Sequence, residues 1–129
     1  MTQTSSVDGY IEQVIEDDAV DAAKQLSSVV CSAEAGTPVL YVSDAFEAHT
    51  GYSPEVAVGQ NLSFLQGPAT EPESVEKFRE LIANGLSGVV RITNYRADGS
   101  LFVHECDFRP VRDEKDAISH FVAIQRLVS

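Results

Sequence analysis

The chain has 129 residues, 43% hydrophobic and 22% charged, the balance of one globular domain rather than of a disordered segment. Nine lysines and arginines against twenty aspartates and glutamates leave a net charge of -11. That charge repels phosphate backbones and anionic bilayers, so neither nucleic acid nor a membrane is an expected partner.

Solubility accounts for the charge, with a high-salt habitat as the alternative. No apolar run approaches the roughly 20 residues of a spanning helix. The first eight residues carry no basic or apolar leader, and a cytoplasmic location is expected.

Residues 1–7 are polar. Residues 8–26 read as a helix with Asp8 as N-cap, because Ile11, Ile15, Ala19, Ala22 and Leu26 form one apolar stripe opposite Glu12, Glu16, Asp17, Asp18 and Asp21. This extension with its cap helix (1–27) precedes a domain body (28–129). Two β-rich runs, 28–32 and 39–43, flank the turn cluster 34–38 and predict a hairpin. Ser43 or Asp44 can cap a short helix through Ala45, Phe46 and His49, stopped by Gly51. Ser53-Pro54 starts a second helix that Gly59 ends.

Residues 72–84 form the best internal helix, with Pro72 at its start, Gly85 past its end, and Val75, Phe78 and Ile82 on its inner face. Two long strands, 88–97 and 101–111, meet at Asp98-Gly99, a strong hairpin pair. A turn at 113–116 leads to a last strand over 118–128. The order predicts an α+β fold, an antiparallel sheet with helices gathered on one face.

The informative residues are polar side chains that alternation aims inward. In strand 101–111, Val103, Glu105, Asp107 and Arg109 share the solvated face, so Phe102, His104, Cys106 and Phe108 face in. Asn94 lies on a face with Val90 and Ile92, and Gln125 with Phe121, Ala123 and Leu127. An interior amide without partners costs about 1–3 kcal/mol. These three groups therefore form an internal network, bind water, or bond a ligand. A polar heteroaromatic ligand fits them well, with Phe46, Ile92, Phe108 and Phe121 as apolar walls.

Four ordered segments then carry a resemblance: Gly59-Gln-Asn-Leu-Ser-Phe-Leu-Gln-Gly67, Asn94-Tyr-Arg-Ala-Asp-Gly99, Arg109-Pro-Val-Arg-Asp113 and Phe121-Val-Ala-Ile-Gln125. Together they resemble the LOV (light-oxygen-voltage) subclass of PAS domains over about residues 28–128. The resemblance implies a five-stranded antiparallel PAS sheet, and a flavin, usually FMN, between sheet and helices. It implies amide contacts to the ring from Asn61, Gln66, Asn94 and Gln125, with Cys106, Phe108 and Phe121 beside it and Arg79 on the phosphate.

This sequence departs from the pattern at four places. Leu62 stands where the family's photoactive cysteine adds to the flavin ring, so the usual adduct cannot form there. Ser63 replaces a phosphate-binding arginine, a loss of about 1.5–3 kcal/mol for a charge-assisted contact. Weaker loading follows, and riboflavin is admitted beside FMN. His104 replaces an asparagine, and Ala123 replaces a glycine and is expected to crowd the ring.

Cys31 and Cys106 fall on the inner sheet face with a strand between them. Two strand spacings are about 9–10 Å, beyond the roughly 7 Å reach of a disulfide. Both are small core residues or, alternatively, adduct-forming or electron-donating thiols. Tyr41, Tyr52 and Tyr95 are the candidate electron donors, and Gln125 the amide that would flip when the ring is reduced. Free thiols suit a reducing compartment.

His49, His104 and His120 lie on separate elements and no Cys-x-x-Cys occurs, so neither a metal site nor catalysis is expected. The reading is a light or redox sensory module. It acts through homodimerisation by the N-terminal helix and the sheet face with Val122 and Ile124, and through a downstream signalling protein. The alternative is a flavin-free PAS interaction module.

Overall fold

A single sheet organises the molecule, and in the computed structural model residues 26–128 are described. The cap helix expected over 8–26, and with it the extension assigned to 1–27, falls outside those residues but for its end. The strands are β1 (Ser27–Ser32), β2 (Val39–Val42), β3 (Gly88–Tyr95), β4 (Leu101–Arg112) and β5 (Ile118–Leu127). They run antiparallel in the order β2-β1-β5-β4-β3. Helices α1 (Asp44–Thr50), α2 (Pro54–Ala57) and α3 (Pro72–Asn84), with a 3-10 turn at Leu62–Leu65, fill the connection between β2 and β3.

Alternation decides which face is covered. Val29, Cys31, Val90, Cys106, Phe108, Phe121 and Ala123 form one buried cluster with Phe46, Ala57, Leu65 and Leu81 from the helical segment. Val30 and Val122, with Tyr41, Val111 and Ile124, form a separate cluster of strand residues. Phe46 belongs to the main core and not, as expected, to a ligand wall.

Local chemistry sets the element ends. Ser43 stands at the N-cap of α1, yet its hydroxyl does not cap the helix as expected; it accepts from Ser28 N–H at 2.9 Å and ties the helix start to β1. Ser53 does cap α2, accepting from Val56 N–H. Gly51, at φ 79°, closes α1 by donating its N–H to Glu47. β3 stops two residues short of the expected 97, because Arg96 N–H bonds the Ser100 carbonyl and Gly99 takes φ 89° to close the turn. That turn is then pinned to α1: Arg96 Nε donates to the His49 carbonyl at 3.0 Å, and Ala97 N–H to that of Thr50 at 2.8 Å.

Both sheet edges are partly occupied. Along β3, the Glu71 carboxylate accepts from Thr93 N–H and Oγ1, Ser74 donates to the Arg91 carbonyl, and Lys77 to that of Val89. Along β2, Val39 exchanges backbone bonds with Gly59 and Gln60. Such cover blunts the pairing capacity of an edge strand.

Candidate functional site

Between the sheet and the helical connection lies a cavity with about 640 Å³ of empty space counted out to its open mouth. Its floor comes from four strands: Cys31 on β1, Ile92 and Asn94 on β3, Cys106 and Phe108 on β4, and Phe121 and Gln125 on β5. Its roof is Leu62, Leu65 and Gln66 of the turn, with Phe78 and Ile82 of α3. Thr37, Asn61 and Ser63 complete the lining with polar groups.

The walls are aromatic and the far wall is polar. Phe108 and Phe121 stack at 5.2 Å with planes 15° apart, and Phe78 meets Phe108 edge-on at 5.5 Å. Asn94 is only 4% exposed, lines the cavity, and its side-chain amide has no hydrogen-bond partner among the described residues. Gln125 is also buried; its Oε1 accepts from Ser27 Oγ at 2.9 Å, and it stands opposite Cys106 in the β4–β5 register. An interior amide left unpaired costs about 1–3 kcal/mol, so the Asn94 amide keeps free hydrogen-bonding capacity facing the cavity. The lining carries no charged side chain.

Asn61 has a local task as well. Its Oδ1 accepts from Ser63 N–H at 2.8 Å, while Nδ2 donates to the Gly36 carbonyl and to Thr37 Oγ1. It thus fixes the turn bearing Leu62 against the β1–β2 loop. Thr37 is held at φ 40°, an uncommon backbone for a β-branched residue, with its hydroxyl against Asn61.

Of the ten residues expected at the site, Asn61, Leu62, Gln66, Asn94, Cys106, Phe108, Phe121 and Gln125 line this one cavity. Arg79 and His104 do not. Arg79 lies on α3 with its side chain 73% exposed, 3.7 Å from Glu76. His104 faces inward as alternation requires, but beneath α1, where its Nε2 is 3.0 Å from His49 Nδ1 and its ring meets Phe102 edge-on. It is fully buried, its Nδ1 has no partner, and burial first, then His49 and Arg96, push its pKa down to about 3. Ala123 lies in the core with Phe108 and Phe121 and is not among the residues lining the cavity.

Cys31 and Cys106 are both buried free thiols on the cavity floor, with burial pushing each pKa up to about 12. β5 separates their strands, and their partners on it, Phe121 and Gln125, are four residues apart. The expected lateral gap is therefore lengthened by an offset along the strand, and the pair stays unbridged. None of Tyr41, Tyr52 and Tyr95 lines the cavity; Tyr52 rests on Phe64 and Tyr95 Oη accepts from Ala69 N–H. Thr37, Leu65, Phe78 and Ile82 were not anticipated in the lining. Only Phe78 and Ile82 left a sequence trace, as the inner stripe of α3. Among the described residues no cluster of three or more His, Cys, Asp or Glu could hold a metal, and no helix is long and apolar enough to cross a membrane.

The geometry has close counterparts. A family profile described as PAS domain matches residues 26–126. The bacterioopsin transcriptional activator of Halobacterium salinarum is 38% identical over 118 residues, 92% of this chain and 18% of that protein. Phototropin-2 of Oryza sativa subsp. japonica is 35% identical over 135 residues, 97% of this chain and 15% of that protein. The chain thus spans less than a fifth of these relatives. Among solved structures, the LOV domain of a blue-light activated histidine kinase from Erythrobacter litoralis superposes with a TM-score of 0.77 at 36% identity, over 81% of this chain and 96% of that one.

Proposed function

The chain belongs to the PAS family and is a LOV domain, and from that premise we propose that it is a sensory module for blue light or redox state that holds a flavin in this cavity. FMN is the proposed cofactor, with riboflavin as a competitor. The observation that carries the reading is Asn94: a buried amide, unpartnered, facing a cavity that also presents Gln66 and Gln125. Amides offer both donors and acceptors, which suits the alternating edge of an isoalloxazine ring, and the stacked Phe108 and Phe121 suit its faces.

When bound, a flavin supplies blue absorption and reversible redox chemistry. The chain's residues do the rest. Asn94, Gln66 and Gln125 orient the polar edge, and Phe78, Phe108 and Ile82 exclude water. Asn61, Thr37 and Ser63 receive the polar side chain of the cofactor. Leu62 brings no nucleophile, so in this reading the usual cysteinyl adduct does not form at that position. The uncharged lining and the exposed Arg79 favour similar affinities for FMN and riboflavin.

Gln125 is the proposed output lever. It reaches Ser27 at the start of β1, so a rotated amide alters a bond at the point where the N-terminal segment enters the sheet. Output then passes by homodimerisation or contact with a downstream signalling partner, through residues 1–27 and the outer face around Val122 and Ile124. The absorption spectrum of the purified chain tests the reading. A structured blue band that Asn94→Leu weakens is expected. A colourless protein that takes up neither flavin would leave the flavin-free interaction module instead.

A further inference from the structure

We propose that Cys106 is a covalent site of this cavity: on illumination its thiol adds to the bound flavin ring from the sheet side. The proposal rests on the flavin reading above and supplies the sulfur that position 62 lacks.

Placement singles out this cysteine. Cys106 is 1% exposed and lines the cavity between His104 and Phe108 on β4, a small side chain opposite Val90 on one strand and Gln125 on the other. Gln125 is its register partner on β5, and the unpartnered Asn94 amide, on β3 four residues from Cys106's partner Val90, opens into the same cavity. Of the amides that would recognise the ring's polar edge, Gln125 therefore stands beside this sulfur. The reactive C=N bond of an oxidised flavin, between C4a and N5, borders that edge. Cys31 sits opposite Phe121, four residues away along β5, and the two sulfurs do not consume each other in a disulfide.

The chemistry balances within the pair. The S–H bond breaks, sulfur bonds to C4a, hydrogen goes to N5, and the C4a–N5 π bond is spent. The flavin gains what the thiol gives up, so no further oxidant or reductant is required, and thermal reversal restores both. The reaction needs the thiol as S–H. Burial provides this, since the Cys106 pKa is pushed up to about 12 and the group is protonated at neutral pH.

The test uses the full chain reconstituted with FMN, followed by infrared and visible absorption during illumination. A thiol S–H stretching band and the blue flavin band are expected to fall together and to recover together in the dark. Cys106→Ser should lose both changes while still binding flavin, and Cys31→Ser should keep them. If Cys106→Ser fails to load, Cys106→Ala serves in its place. The proposal is overturned if the blue band falls with all S–H intensity intact, if it does not fall, or if Cys31→Ser is the variant that abolishes the change. A wild-type chain that takes up no flavin removes the parent reading first, and that outcome is visible before any illumination.

Discussion

Two residues apart on β4, His104 and Cys106 share a face and differ in everything else: one lies under α1 against His49, the other on the cavity floor. The environment of His104 has a measurable consequence. Its folded pKa of about 3 lies below the ordinary value of 6.5. The unfolded chain therefore takes up a proton at pH values where the folded one does not. Stability is unaffected above about pH 6.5 and falls as pH drops towards 3, by up to about 1.4 kcal/mol per unit from this group. His49 and Arg96 are the charged or titratable groups facing it. Urea unfolding at about pH 7.5 and about pH 5 should show a larger acid loss in the wild type than in His104→Gln. Equal losses would show that the ring is protonated in place. Alternation read the facing of this residue correctly. Position along a strand, which decides whether an inward group meets a helix or a cavity, has no periodic mark in the sequence. Arg79 escaped for a related reason: helical spacing puts it one residue from Phe78, yet its stem turns outward to Glu76.

The elements themselves were largely legible, because each is marked by short-range chemistry. Helix α3 occupies 72–84 as its Pro72 and Gly85 require, and β4 and β5 end within a residue of expectation. What local rules missed is the use of a side chain by a distant element. Glu71 precedes α3 and looks like a capping residue, but its side chain makes no cap. It accepts instead from Thr93 N–H at 2.9 Å and Thr93 Oγ1 at 2.7 Å, bonds that hold its carboxyl below the usual carboxylate range. Glu71→Ala should cost about 1 kcal/mol, less than a fully buried charged hydrogen bond because the site is wet. It should also raise amide hydrogen exchange at Thr93 while leaving exchange in α3 unchanged. A loss of α3 protection would assign Glu71 to the helix after all. The bond's contribution is present above about pH 4.5 and fades below it, as protonation removes the acceptor. Gly67 is read the same way. A Cβ there would meet the Tyr95 ring, whose hydroxyl anchors Ala69 N–H, so Gly67→Ala should cost about 1–3 kcal/mol by thermal unfolding.

At the scale of the whole chain the governing quantity is charge, which composition gives outright. Twenty acidic against nine basic side chains repel one another in the folded state more than in the expanded one. The cations that could offset this are partly engaged: Arg91 and Arg126 both bind Glu105, and Arg109 binds Asp107. These exposed pairs are each worth little and are screened by salt, whereas the repulsion acts over the entire surface. Raising salt shortens the Debye length from about 10 Å at 0.1 M to about 3 Å at 1 M. Screening should therefore stabilise the fold on balance, by about 1 kcal/mol, or roughly 3–6 °C in Tm for a domain of this size. Thermal unfolding in increasing sodium chloride checks it, with sucrose as the uncharged comparison that strengthens burial without screening. A Tm that falls with sodium chloride would mean that the few ion pairs outweigh the repulsion. A rise matched by sucrose would trace the effect to apolar burial rather than to the acidic surface.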